Sequence, residues 1–413
     1  MQDGCVGMPT SAFILGSGDP PPSTLVQVTD NHSVKDSAEQ AEAERTLAFW
    51  REQIALLCSQ DPPQNLRAAC QKISERGIAT SILSAFFDAL ARCPTVKICH
   101  FEMTEFDDAA CEALRTAGGP SVNLRALYLS RNRITAAGLP PLIASTLERG
   151  RLTTLNLSCN PLGDQIAALG RAVAASGSLT HLNLNETRCG AGVVEFAEAL
   201  AKGGPLRQLS LQNNGIGDIE AAMIADPIAA SGLEEILLGR NSIGDAGASA
   251  LARTLLGSSL RRLSLTSNDV RDAGACEFAS ALDGCAAKLH ALNLGHNKIG
   301  DLGVAALAAA VRANANLGKL DVGVNLASRQ RTDVLRAAMA PEALRRRRLA
   351  AFRAAARVVL AAYNRDVRGG VAPDPPRLGC LPFALVLVVL KHACLAWGGA
   401  DAVAELEARG LKA

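Results

Sequence analysis

The sequence predicts an α/β solenoid, a horseshoe with a parallel β-sheet on its concave side and α-helices on its convex side, and three observations carry that prediction. An apolar string of the form LxxLxLxxN occurs nine times, with first positions at Val96, Leu124, Leu152, Leu179, Leu206, Leu233, Leu260, Leu289 and Leu317, 27 to 29 residues apart. A fixed period of that length marks a unit that cannot bury its apolar face alone and must stack on its neighbours. Each string is followed by an apolar segment with helical spacing. Strands pair about 4.8 Å apart whereas a helix with side chains is about 10 Å across, so the helices splay and the array bends.

The elements follow in chain order. Residues 1–36, with Pro20, Pro21 and Pro22 together, read as a disordered lead. Residues 37–92 read as helices, with Leu47, Trp50, Ile54 and Leu57 on one face and Ile82 to Leu90 resuming the pattern after Pro62 and Pro63. The exposed side of a first repeat needs a cover, so this helical region is expected to cap Val96 and its neighbours. A partner-binding helix centred on Trp50 is the alternative. The repeat domain spans residues 93–330.

One repeat shows the reasoning. Leu289, Leu292 and Leu294 point inward from a short strand, and His290, Ala291 and Asn293 face out. Asn297 turns the chain, its amide serving backbone groups that lack ladder partners. Asp301 stands in the helix-starting slot, where it is expected to cap its own helix, and Leu307 and Val311 share one face. Asp recurs at that offset as Asp164, Asp218, Asp245 and Asp272, while Thr104 and Thr187 replace the turn Asn.

Residues 331–413 read as a helical C-terminal region. From Pro341 to about Arg368, Leu344, Phe352, Val359, Leu360 and Tyr363 line one face, and Arg345, Arg346, Arg353, Arg357 and Arg365 cover much of the rest. Such a helix can cap the last repeat, or lie on lipid, RNA or an acidic partner. The run Arg345–Arg348 is the one candidate for nucleic-acid contact or a nuclear address. Residues 378–390 carry no charge but are thirteen in number, against the roughly 20 that span a bilayer, so no membrane crossing is expected.

The strings LRALYLSRN, LTTLNLSCN, LRQLSLQNN, LRRLSLTSN and LHALNLGHN, with helices such as IGDAGASALARTL and IGDLGVAALAAAV, resemble the ribonuclease-inhibitor-like subfamily of leucine-rich repeat proteins. The resemblance implies an all-repeat binding scaffold. Its members include ribonuclease inhibitors, Ran GTPase-activating proteins, the sensor ends of NOD-like receptors and axonemal proteins, and fold alone does not choose among them.

Of 413 residues, 48% are apolar and 3% aromatic, with 42 Lys and Arg against 40 Asp and Glu. Residues 341–377 carry a net charge of +6 and the first 340 residues −4. Twelve cysteines show no CxxC, so they are expected as reduced, small apolar residues. Met1 to Gly16 lacks a basic stretch, so no secretory leader is expected and a reducing, cytoplasmic setting follows, with nuclear, ciliary or tail-anchored placement as alternatives. No GxxxxGK[ST], HExxH or GxSxG string occurs, and His32, His100, His181, His290, His296 and His392 have no ligand spacing. Catalytic residues, cofactor and metal are therefore not expected.

What remains is the concave wall. Its central lane is expected to hold His100, Tyr128, Asn156, Asn183, Ser210, Leu237, Ser264, Asn293 and Asp321. A neighbouring lane holds Ile98, Ala126, Thr154, His181, Gln208, Glu235, Arg262, Ala291 and Lys319. The candidate partner-binding residues are His100, Tyr128, Arg131, Asn156, His181, Asn183, Gln208, Glu235, Arg240, Arg262, Asn293 and Asp321. Arg and aromatic side chains dominate binding energy at interfaces, and here Tyr128, Arg131, Arg240 and Arg262 supply them, so apolar anchors are expected from the flanks, where Trp50 and Trp397 lie. Three functions fit: a non-enzymatic scaffold that binds a protein partner; a small-GTPase regulator, as the resemblance to Ran GTPase-activating proteins implies, acting through Arg131 or a neighbouring turn residue; or a structural subunit of a larger assembly such as an axoneme or organellar particle, docked through the basic C-terminal helix.

Overall fold

The computed structural model describes residues 11–15, 25–29, 37–67, 80–118, 123–148, 151–283 and 288–350. Ten parallel strands form one open sheet in strict chain order: β3 (Asn65–Arg67), β4 (Ile98–His100), β5 (Ala126–Tyr128), β6 (Thr154–Asn156), β7 (His181–Asn183), β8 (Gln208–Ser210), β9 (Glu235–Leu237), β10 (Arg262–Ser264), β11 (Ala291–Asn293) and β12 (Lys319–Asp321). Helices return the chain between them, namely α2 (Thr80–Arg92), α3 (Asp108–Thr116), α4 (Leu139–Thr146), α5 (Ala167–Ala175), α6 (Val193–Leu200), α7 (Asp218–Ala230), α8 (Asp245–Thr254), α9 (Asp272–Asp283) and α10 (Asp301–Ala313). This is a leucine-rich repeat solenoid. The expected register holds at every strand, with His100 beside Tyr128, Asn156 beside Asn183, and Glu235 beside Arg262.

Two stretches depart from expectation. Residues 37–92 contain α1 (Ser37–Leu57) and α2, but also β3, so the sheet starts one strand earlier than the strings announce. The sequence reading misses β3 because Leu66 is its only buried residue. Within residues 1–36, read as disordered, β1 (Ser11–Leu15) and β2 (Leu25–Thr29) pair antiparallel.

The turn asparagines bind one repeat to the next. Asn241 donates from Nδ2 to the carbonyl of Leu238 in its own turn and to that of Leu211 in the preceding repeat, both at 3.0 Å. Its Oδ1 accepts from the N–H groups of Asn214 (2.9 Å) and Ile216 (3.1 Å), again in the preceding repeat. Asn132, Asn160, Asn268, Asn297 and Asn325 repeat the pattern of one carbonyl at home and one across. A short amide suits this slot because it donates and accepts at once inside a dry turn. To aim it inward, the preceding residue enters the left-handed region, as at Arg131, Cys159, Arg240 and His296, with φ between 54° and 57°.

Thr187 shows the cost of losing the amide. It keeps the local bond, its hydroxyl donating to Leu184 O at 2.8 Å, and its N–H still reaches Asn214. A hydroxyl cannot also reach back, so Leu162 N–H turns to Asn160 O instead. The turn near Thr187 is formed, and the ladder is interrupted there. Thr104, at the first repeat, has only a partial counterpart before it and is fully buried on Phe101 O.

The helix-start aspartates form a second ladder, and here the expectation needs correction. Asp272 does not cap its own helix. Its Oδ1 accepts from Gly300 N–H (2.7 Å) and Gly303 N–H (2.8 Å), the cap and third residue of α10 in the next repeat. Asp218 and Asp245 do the same for α8 and α9. Asp301 accepts from Ser328 N–H at 2.6 Å. A Cβ on Gly303 would sit 2.8 Å from Asp272 Oδ1, so glycine is required for the approach. Asp164 lies in a bend before α5, which starts three residues later, and has no such role.

The ends are closed differently. Trp50, Phe86, Phe87, Phe101 and Phe106 are all at most 1% exposed, with Trp50 edge-on to Phe86 at 4.8 Å and Phe86 edge-on to Phe101 at 5.9 Å. This aromatic plug covers the first repeat. Trp50 is packing, and a partner-binding role for it is ruled out by its burial. At the other end α11 (Arg329–Met339) packs on α10 through Leu335 and Ala338. Residues 341–350 are helical, and the Arg347 guanidinium donates to Val311 O near the end of α10. The rest of the basic helix and the apolar run 378–390 lie outside the described residues.

Asn241→Ala would strand the Leu211 carbonyl and the Asn214 and Ile216 N–H groups. Urea unfolding should show a loss of at least about 3 kcal/mol, since each buried orphan costs roughly 1–3 kcal/mol, against about 1–2 kcal/mol for Thr187→Ala. The Ser328 N–H holds the Asp301 carboxyl below the usual aspartate range. A depressed folded pKa contributes stability above the unfolded value, near 3.9, and loses it as pH falls further. The stability gap between wild type and Asp301→Ala should therefore narrow below about pH 4; a gap constant from pH 6 to pH 2.5 is the contrary result.

Candidate functional site

Strand alternation builds the concave wall. The middle residue of each strand from β3 to β11 is buried, and the two outer residues form lanes across the sheet. Every lane residue expected from the sequence occupies its station. The central lane also has an earlier one: Arg67 on β3 pairs in register with His100.

His100 and Tyr128 stack face to face, centroids 4.5 Å apart and planes 5° from parallel. Glu102 Oε1 lies 3.2 Å from His100 Nδ1 and holds the imidazole in place. Further along, Asn183 Oδ1 accepts from Asn185 N–H, Asn156 Oδ1 from Ser158 N–H and hydroxyl, Asn293 Oδ1 from Gly295 N–H, and Asp321 Oδ1 from Gly323 N–H. These are local turns in which a short side chain serves the backbone two residues on. The amide oxygens are thereby occupied. Among the described residues the Nδ2 donors of Asn156, Asn183 and Asn293 and the second oxygen of Asp321 take part in none of these turns.

A hollow of about 380 Å³ lies across β5 to β9. Six candidate residues line it: Tyr128, Asn156, His181, Asn183, Gln208 and Glu235. Thr154, Asn185, Ser210, Gln212 and Leu237 also line it, with the buried mid-strand residues Leu155, Leu182 and Leu209 beneath. Asn185 organises its floor, accepting from the Ser210 hydroxyl at 2.6 Å and from Gln212 N–H at 2.7 Å. Asn185 and Gln212 stand one alternation beyond the two predicted lanes, so the same register extended by two residues finds them. Arg67 had no such signal, because its strand lacks the string.

The other candidates lie outside the hollow. Arg262 pairs with Glu235 across β9 and β10 at 2.5 Å, so neither charge is isolated. His100 lies at the N-terminal side, and Asn293 and Asp321 at the C-terminal side. Arg131 and Arg240 sit at exposed left-handed turn positions on the strand-exit rim. Arg131 contacts the Cys159 thiol, which burial first and the Glu186 charge second push up. Burial likewise pushes Cys189 up to about 11 and Cys99 and Cys111 further. These thiols pack as protonated apolar groups. His181 Nδ1 lies 2.7 Å from Thr180 Oγ1 and His290 Nδ1 2.6 Å from Lys288 O. Among the described residues no group of three His, Cys, Asp or Glu could hold a metal ion, and no helix is long and apolar enough to cross a membrane.

The chain carries leucine-rich repeats: the family model described as "Leucine Rich repeat" matches residues 121–142, 152–168, 233–252, 258–279 and 286–308. No curated protein is similar in sequence. Among solved structures, an internalin (inlF) from Listeria monocytogenes is similar at 18% identity over 71% of this chain and 92% of its own, with a TM-score of 0.36. A complex of TLR13 with ssRNA13 is similar at 17% identity over 64% of this chain and 33% of that one, TM-score 0.41. The tropomodulin C-terminal domain of Caenorhabditis elegans is similar at 16% identity over 44% and 92%, TM-score 0.30.

The His100–Tyr128 stack should register as coupling. A double-mutant cycle with His100→Ala and Tyr128→Ala, read by urea unfolding, is expected to give about 0.5–1.5 kcal/mol. Additive losses would mean that the rings only lie side by side.

Proposed function

We propose that the chain is a non-enzymatic interaction scaffold that seats a partner protein on its concave wall, centred on the hollow across β5 to β9. The observation that carries this reading is the arrangement of that hollow. Tyr128 stands at one end and Glu235 at the other, and between them Asn156 and Asn183 offer amide donors whose own geometry is fixed by the turns behind them, with the Gln208 amide beside them. Fixed donors lose little conformational freedom on binding, which is how a polar surface reaches useful affinity. An extended partner segment, rich in backbone carbonyls, suits such donors.

Few large side chains stand on the wall, so its energy centres on few anchors. Tyr128 is the aromatic one, and interfaces concentrate their energy in such residues. The flank on the N-terminal side contributes no anchor through Trp50, which is wholly buried.

The test uses full-length protein and the proteins co-purified with it from its native cell. Tyr128→Ala combined with His181→Ala and Gln208→Ala should weaken capture of the main partner by tenfold or more, in a protein that urea unfolding shows to be still fully folded under the capture conditions. Met223→Ala on the exposed side of α7 should leave capture intact. Undiminished capture by the triple variant rejects the concave wall.

A further inference from the structure

The row immediately before the strands differs from the concave wall. Its members are joined by a continuous backbone ladder: Arg125 N–H bonds Lys97 O, Thr153 bonds Arg125, Thr180 bonds Thr153, Arg207 bonds Thr180, Glu234 bonds Arg207, and Arg261 bonds Glu234. His290 and Gly318 continue it. Consecutive stations are therefore about one strand spacing, 4.8 Å, apart. Lys97, Arg125, Arg207 and Arg261 occupy this row, with Arg151 and Lys288 two residues before their strand-row partners Thr153 and His290. Glu234 is the one carboxylate in the row. At its far end Arg348 Nη2 lies 4.0 Å from where a Cβ on Gly318 would stand.

Part of this charge is structural. Arg207 donates to the Gly204 and Gly232 carbonyls, and Arg125 to Arg151 O, which serves loop carbonyls near helix ends. That role does not account for Arg151, Lys288 or Arg261, whose guanidinium or ammonium groups reach no carbonyl among the described residues. Glu234 shows what this edge holds well. Its two oxygens lie 3.9 Å from Arg207 Nε and 3.3 Å from Arg261 Nε, a carboxylate shared between two guanidinium groups. Elsewhere along the edge the cations have no such carboxylate among the described residues. Apart from the lone His290 imidazole, the row's described residues carry no aromatic ring, whereas single-stranded nucleic acid binding stacks successive bases on several.

We infer that the strand-entry edge is a second docking surface, built for an Asp- and Glu-rich segment of a partner protein whose carboxylates pair with Lys97, Arg125, Arg151 and Arg261 as Glu234 does. Charge complementarity along such an edge speeds encounter and fixes register more than it adds affinity. The surface is separate from the hollow, so it stands or falls independently of the concave reading.

The probe is a fluorescein-labelled polyglutamate peptide of about twenty residues, titrated by anisotropy into full-length protein at about 0.15 M salt, where charges beyond roughly 8 Å are screened. Lys97→Gln, Arg125→Gln, Arg151→Gln and Arg261→Gln together should weaken binding by at least about tenfold, on the scale of charge-dependent association. Neutralising Arg131 and Arg240 on the strand-exit rim, with Arg133 and Arg188, which directly follow the turn residues Asn132 and Thr187 there, should change it less than about twofold. Glu234→Gln, which releases Arg207 and Arg261, should tighten binding, and this gain keeps the test valid if the fourfold variant does not fold. Equal losses from the two rims, or no gain from Glu234→Gln, would overturn the inference. So would tighter binding of duplex DNA of about twenty base pairs than of the peptide.

Discussion

Everything in this molecule depends on the buried turn amide. A solenoid of short strands leaves, at each turn, carbonyls and N–H groups that face a neighbour rather than a ladder partner, and water cannot reach them. Asn132, Asn160, Asn214, Asn241, Asn268, Asn297 and Asn325 serve these groups across the repeat boundary, each buried or nearly so. The aspartates of the helix starts act across the same boundaries on the outer side. From Asp218 onward adjacent repeats are thus clamped at two points, one at the strand exit and one at the next helix start. Three-residue strands alone would be weak; clamped this way they present side chains at a fixed spacing.

That fixed spacing made the lanes legible before any coordinates. Leu127, Leu155 and Leu182 are buried and Tyr128, Asn156 and Asn183 face out because alternation admits no other register once the LxL pairs are assigned. The sequence was less informative where function depends on who lies opposite whom. Asp301 stands in a capping slot, and nothing in one repeat says that its carboxylate serves Ser328 rather than its own helix. β3 escaped because a strand with Leu66 alone inside carries no period. Trp50 reads as part of a cap with a partner-binding helix as the alternative, and the packing of Phe86 and Phe101 around it decides for the cap.

The candidate site was legible as positions and not as chemistry. Asn156, Asn183 and Asn293 are where the register puts them, yet half of each amide is already used by the backbone beyond it, so they act as donors. Arg262 stands on the wall as a paired charge with Glu235. Tyr128 gains from a neighbour, His100, that no single repeat reveals. The two surfaces that result differ in kind. The hollow offers fixed hydrogen-bond donors around one aromatic ring, and the strand-entry edge offers cations with a single internal carboxylate. A partner could engage both, since one borders the other along the same strands.

The most direct test of the central claim, that partners meet the concave wall, is site-specific photo-crosslinking in the native cell. A benzophenone amino acid placed at Gln208 in the hollow, or at Ala222 on the outer face of α7, reports which side a partner occupies. The account predicts a discrete crosslinked partner from position 208 and none from position 222. Crosslinks from 222 alone would contradict it, and would move the binding surface to the helical wall.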